Sequence, residues 1–299
     1  MARPSYLPVS PLSLAMALLP VLPFLSSAPL TGQEQATAQE RERALREELR
    51  APRPVEALES VWIEELTWME IRDLIREGTT TAVVATGGIE QNGPFVAMGK
   101  HNYILQTTCE AIAGRLGNAL CAPIVKLVPE GEIDPPSGHM RYPGTISVRE
   151  ETFRMMLTDV ARSLEAHGFT DIVFIGDSGG NQRGMAQVAD RLNQQWTGSR
   201  VHFIPEYYQA DVVAFMNDEL GIVEPRDDGY HDYYWITAQQ MVTDPATVRY
   251  DERVKAGLAH INGISIAPME ETIDVGRRLI EFRVDATVEA IRASLAAGR

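Results

Sequence analysis

The chain has 299 residues, is 44% hydrophobic and 23% charged, and carries a formal net charge of −14. That length and apolar fraction can bury one large core or two modest ones. The acidic balance excludes a nucleic-acid surface, which needs clustered Lys and Arg against phosphate, and by itself it names no substrate.

Arg3 precedes an apolar, uncharged run from about Leu12 to Ala28, followed by the small-residue stretches Ser26-Ser27-Ala28 and Ala36-Thr37-Ala38. This pattern predicts a secretory signal over residues 1–38, a mature chain starting near Gln39, a periplasmic or secreted product, and no membrane association after cleavage. Pro20 and Pro23 interrupt the run and argue against a permanent membrane helix. Residues 39–60 read as a charged arm, dense in Glu and Arg, and 61–299 as one domain. Export permits a disulfide between the only two cysteines, Cys109 and Cys121; two buried thiols are an equal expectation.

Thr67-Trp68-Met69-Glu70 predicts a capping box that opens a helix to Glu77, stopped by Gly78. Thr80–Ala85 predicts a strand, and Thr86-Gly87-Gly88 breaks it. A polar loop over 89–101, a helix from Asn102 to Leu116 and a strand from Cys121 to Val128 follow. Residues 129–147 form a long proline-containing loop. Glu151–His167 predicts an amphipathic helix with Phe153, Met156, Leu157, Val160 and Leu164 on one stripe. Ile172–Ile175 is an unbroken apolar run, as in a strand covered on both faces. Gly176-Asp177-Ser178-Gly179-Gly180-Asn181 turns it into a helix marked by Met185, Val188, Ala189, Leu192 and Trp196. Gly179 and Gly180 allow close approach of backbone or a positive φ. Val201–Pro205 is a fourth strand, residues 206–262 an insertion rich in Tyr, Asp and His, and Ala286–Ala297 the last clear helix. Strands alternating with helices predict an α/β fold: a layered, mostly parallel sheet with helices on both faces.

Three polar loops follow three predicted strands, so their side chains can meet at one sheet edge. They carry Glu90, Asn92 and His101, then Glu130, Glu132, Asp134 and His139, then Asp177, Ser178 and Asn181. Asp227, Asp228, His231 and Asp232 form a further cluster. Carboxylate with imidazole is the donor set of zinc or manganese. Gly176-Asp177-Ser178-Gly179-Gly180 also fits G-x-S-x-G on a strand–turn–helix, which would make Ser178 a nucleophile with His231 or His139 as base. Tyr207, Tyr208, Tyr230, Tyr233, Tyr234 and Trp235 could line a pocket for a planar substrate or pack at a subunit interface.

Four segments resemble the creatininase (creatinine amidohydrolase) family. Gly87-Gly88-Ile89-Glu90-Gln91-Asn92-Gly93-Pro94-Phe95 with Lys100-His101 is similar to the family's Gly-x-x-Glu-Gln-His-Gly-Pro-His loop and following Thr-Asp. Gly138-His139 before Pro143-Gly144-Thr145 matches a second segment, and Gly176–Asn181 resembles an Asn-Gly-His-Gly-Gly-Asn turn. His231–Ala238 is similar to His-Ala-Gly-x-x-Glu-Thr-Ser. The resemblance implies a layered α/β fold, a homo-oligomer, a small-molecule substrate, and hydrolysis of non-peptide C–N bonds with divalent metal. It also implies lost ligands, because Asn92, His101, Ser178 and Ile236 stand where the family has His, Asp, His and Glu. What remains is one ion or none, with Glu90, His101 and Asp177 as expected ligands and His231 as the proton carrier. Asn92, His139, Gly179, Gly180, Asn181 and Trp235 are then expected at the substrate. A metal-free serine hydrolase using Ser178 and a non-catalytic binding protein are the rival expectations.

Overall fold

The computed structural model describes residues 32–297, with side chains from residue 37 onward. Most of the expected export signal over residues 1–38 lies outside the described residues. No described helix is long and apolar enough to cross a membrane.

The chain divides into two compact units, with the boundary between Pro52 and Arg53. The first contains helix α1 (Gly32–Glu48), whose side chains are exposed from residue 37 and whose Arg43 pairs with Glu47 one turn on. The second begins at Arg53. Arg53 Nε pairs with Asp73 at 2.9 Å, and the Leu58 N–H donates to Glu70.

In the second unit, α2 (Trp68–Arg76) opens with the predicted capping box, Thr67 and Glu70 satisfying each other's backbone N–H groups. Then come β1 (Thr81–Thr86), α3 (Lys100–Leu116), β2 (Ala119–Cys121), α4 (Glu150–Ala166), β3 (Asp171–Gly176), α5 (Gly179–Asn193) and β4 (Arg200–Phe203). The insertion folds as α6 (Glu206–Gln209), α7 (Val212–Glu219), α8 (Tyr234–Thr243), α9 (Tyr250–Ala256) and a two-stranded ribbon of β5 (His260–Ile261) and β6 (Ile264–Ser265). Helix α10 (Met269–Ala297) closes the described chain.

The main sheet is fully parallel, in the order β2-β1-β3-β4. Its residues are buried on both faces, as the apolar runs predict. One face packs Val84, Ile172 and Phe174 against Phe153, Leu157 and Ala161 of α4 and Met185, Val188 and Leu192 of α5. The other packs Val83, Ala85, Val173 and Ile175 against Leu105, Cys109 and Ile112 of α3 and Ile280, Val284 and Ile291 of α10. A third cluster joins Val212, Met216, Met241, Ile266 and Leu279, so the insertion has a core of its own.

Two differences from the sequence expectation have physical causes, and the open alternative for the two cysteines is decided. The strand expected over Cys121–Val128 pairs regularly only from Ala119 to Cys121. Pro123 follows and has no N–H for the ladder, although the Val125 N–H still donates to Ala85 O. The last helix begins at Met269, well before Ala286, because Arg283 and Thr287 sit inside its apolar stripe and mask the period. Cys109 and Cys121 form a disulfide, with Cα atoms 6.3 Å apart, because α3 turns directly into β2 and sets one against the other.

Candidate functional site

Two buried amides fix the carboxyl end of β1, one holding it to the segment after β3 and the other to α3. Asn181, in the first turn of α5, donates its Nδ2 to Thr86 O at 3.2 Å and Gly87 O at 2.8 Å. Asn102, in α3, brackets Gly88 by donating to its carbonyl at 2.8 Å and accepting from its N–H at 3.2 Å. A Cβ at Gly88 would collide with the Glu130 carboxyl, and one at Gly180 would come within 2.7 Å of Pro129 O. Gly179 and Gly180 are helical, not at positive φ. They serve close approach.

The loop after β1 aims Glu90 inward. The Glu90 N–H donates to Met98 O, and Asn92 Nδ2 donates to Glu90 O at 2.9 Å and Ala97 O at 3.1 Å. Asn92 is therefore a buried staple of the loop, turned to backbone. The Glu90 carboxylate collects four basic side chains. Oε1 lies 2.8 Å from His101 Nε2, 3.3 Å from Lys100 Nζ and 3.6 Å from His231 Nδ1, and Oε2 lies 3.2 Å from His139 Nε2. His139 comes from the long loop before α4, and His231 from the segment before α8. Their rings stack with centroids 4.8 Å apart.

His101 spans two carboxylates, since Nδ1 is 2.7 Å from Asp177 Oδ2. Burial opposes its charging, but the hydrogen bonds to Asp177 and Glu90 outweigh burial and raise its pKa to about 9. Burial would raise the Glu90 pKa, yet the His101 hydrogen bond and the His101, Lys100 and His139 charges pull it well below the carboxylate range. Burial and the adjacent Glu90 charge push Glu130 up to about 9, so it holds its proton at neutral pH. Burial also lowers Lys100, against the pull of Glu90. Burial and the Lys100 charge lower His231, which keeps that imidazole neutral at pH 7. Behind His101, Arg283 of α10 donates to Asp177 Oδ1 at 2.7 Å, and both side chains are buried.

These groups face a cavity of about 480 Å³, also lined by Ser178, Gly179, Gly180, Tyr208, Tyr233 and Trp235. Glu90, His101, Asp177, His139 and His231 are thus brought together. Asn92 and Asn181 do not line the cavity. Neither do Asp227 and Asp228, which are engaged with Tyr233 Oη and the Asn262 side chain. Among the described residues, the three whose donor atoms lie within 4.8 Å of one another, close enough to hold one ion, are Glu90, His139 and His231. His101 and Asp177 instead spend their facing atoms on each other. No described side chain hydrogen-bonds Ser178 Oγ, which leads into α5 from extended backbone, φ −117°. Tyr207 and Tyr234 are core residues, and Tyr230 is exposed. Lys100 and Arg283 are the site residues that sequence reasoning passed over. The available signals were a lone Lys beside His101 and a cation within the stripe Leu279, Ile280, Val284, Val288.

Fold and site define a layered α/β protein with a carboxylate-and-imidazole cavity at the carboxyl edge of a parallel sheet. A family model for creatininase, described as creatinine amidohydrolase, matches residues 64–291, and the chain belongs to that family. It is 28% identical over 116 residues to the creatinine amidohydrolase of Pseudomonas putida. That match covers 39% of this chain and 44% of the relative, less than half the relative's length. Two solved structures share the fold. A manganese form of creatininase aligns with TM-score 0.58 and 20% identity over 79% of this chain and 98% of that one. A mutant creatininase complexed with creatine aligns with TM-score 0.58 and 19% identity over 79% and 98%.

Proposed function

We propose that this chain is an exported amidohydrolase that cleaves the C–N bond of a small planar amide or cyclic amide. The observation that carries the proposal is the convergence of Glu90, His139 and His231 on one cavity within a creatininase-family fold. One carboxylate and two imidazoles suit a single zinc- or manganese-class ion in donor type and number. Such an ion, when bound, supplies an acidified water and a Lewis acid for the carbonyl.

The chain's own residues supply the rest. Glu130, which holds its proton and lines the same cavity, can give that proton to the leaving nitrogen, whereas His231, a ligand in this reading, keeps no free lone pair to carry one. Tyr233 and Trp235, stacked with centroids 6.4 Å apart, offer flat apolar faces to a planar substrate. The Gly179-Gly180 backbone leaves room for it beside Asp177. The ionised Glu90 balances the cations around it. Export is supported by the N-terminal pattern and by the buried disulfide, which belongs to oxidising compartments. Assembly with copies of itself is supported by Leu127, Ile133, Tyr142 and Ile146, exposed on the loop that carries His139.

The test is metal analysis of the mature protein together with turnover of an amide and lactam panel. One ion per chain, lost in Glu90→Gln while the fold persists, is expected with hydrolysis of a panel member. A folded native protein with neither ion nor turnover overturns the proposal. The serine route predicts fluorophosphonate labelling abolished in Ser178→Ala. With no base on Ser178 Oγ, we expect no labelling, and hydrolysis in Ser178→Ala within about twofold of native.

A further inference from the structure

We propose that Lys100 is a resident cation of the site that competes with a divalent ion for Glu90 and His231, so that the chain takes up such an ion only when the Lys100 side chain is drawn aside. This rests on the reading of Glu90, His139 and His231 as ligands.

Lys100 is the first residue of α3 and is 1% exposed. Its Nζ lies 3.3 Å from Glu90 Oε1, 3.3 Å from His231 Nδ1 and 3.1 Å from His231 O. An ammonium has three N–H donors and no acceptor, so these three partners use all of them. Glu90 Oε1 and His231 Nδ1 are only 3.6 Å apart, and the ammonium contacts both. The His231 Nδ1 lone pair that would face an ion already accepts from Nζ. A unit positive charge in contact with the donors also adds work to bringing a second cation there, most of all where water is excluded.

The third contact of Lys100 ties the ligand position to the backbone. His231 adopts φ 63°, in the left-handed region that a non-glycine residue enters at a cost. Lys100 Nζ holds its carbonyl. Withdrawing Lys100 therefore frees His231 Nδ1, takes one cation off Glu90 Oε1, which keeps its bond to His101, and releases the backbone that carries His231. A four-carbon stem with rotatable bonds allows that movement. If Lys100 were only the ion-pair partner that keeps Glu90 in place, its removal would leave ion affinity unchanged or lower it.

The experiment is zinc and manganese titration calorimetry on the folded mature protein and on Lys100→Met, Lys100→Gln and Lys100→Arg, with folding checked by circular dichroism. The two neutral variants are expected to bind one ion at least about tenfold more tightly than the native chain, and Lys100→Arg is expected to show no gain. Zinc should also raise the melting temperature of Lys100→Met by more than that of the native protein. Whichever neutral variant folds decides the outcome. Equal or weaker affinity in a folded neutral variant, with the native chain still binding, overturns the competition and leaves the metal reading standing. A native chain without an ion beside a Lys100→Met that binds one upholds the competition and removes the metal reading for the native chain. No binding by any of them overturns both.

Discussion

Arg283 and Asp177 meet at 2.7 Å across 106 positions of sequence, joining the last helix to the turn that opens the candidate site. Asp177 has its other oxygen on His101, and His101 reaches Glu90, so a chain of charge-assisted hydrogen bonds runs from α10 to the cavity. The Arg283 guanidinium also lies 5.1 Å from the Tyr207 ring centre and 5.9 Å from that of Trp235. Taking one partner from a buried pair leaves the other charge without compensation, which costs about 3–5 kcal/mol. Arg283→Met is therefore expected to lose about that much in denaturant unfolding. Arg283→Met with Asp177→Asn should lose clearly less than the sum of the two single changes. Additive losses would show that the two side chains are not coupled.

The pH dependence follows from two groups that bind protons more tightly when folded. His101 rises from its ordinary 6.5 to about 9, and Glu130 from 4.5 to about 9. Between the unfolded and folded values the native chain holds more protons than the unfolded chain, so stability falls as pH rises. The His101 contribution is complete below pH 6.5 and gone above about 9. That of Glu130 is complete below 4.5 and gone above about 9. In the presence of a chelator, the melting temperature should drop steadily between pH 6.5 and about 9. Glu130→Gln, which mimics the protonated carboxyl, should flatten that slope. Lys100, lowered by burial, opposes this fall, so the comparison decides: a Glu130→Gln slope no flatter than the native one would sink the assignment.

The layered parallel fold was legible because it rests on patterns that the chain states locally. The runs Thr80–Ala85 and Ile172–Ile175 read as covered strands because turn signals bound them, and the stripe of Phe153, Leu157 and Leu164 has one helical period. The edge of the sheet where loops converge was legible for the same reason. Which side chains touch there was not. In sequence His101 is the expected ligand and His139 a substrate contact; the loop paths set His101 between two carboxylates and bring His139 beside Glu90 and His231. Asn92 sits in the loop where a ligand is expected, yet the backbone carbonyls of Glu90 and Ala97 claim its amide. Arg283 was hidden because a buried cation within an apolar stripe reads as a break in the helix.

The disulfide gives a prediction that links the fold to its compartment. Cys109 and Cys121 are fully buried, one on α3 and one on β2, and the bond closes a loop of sequence separation 12. Constraining a loop of that size in the unfolded chain contributes about 2–4 kcal/mol. The double change Cys109→Ala with Cys121→Ala removes the bond and also leaves small gaps beside Leu105 and Val83 in the same apolar cluster. The expected loss is at the upper end of that range or slightly beyond it. Cys109→Ala alone should cost about as much, since one change already breaks the bond. Protein taken from an oxidising compartment, unfolded and treated with an alkylating reagent, should show no free thiol. Recovery of two alkylated cysteines from that material would remove both the stabilisation and one of the supports for export.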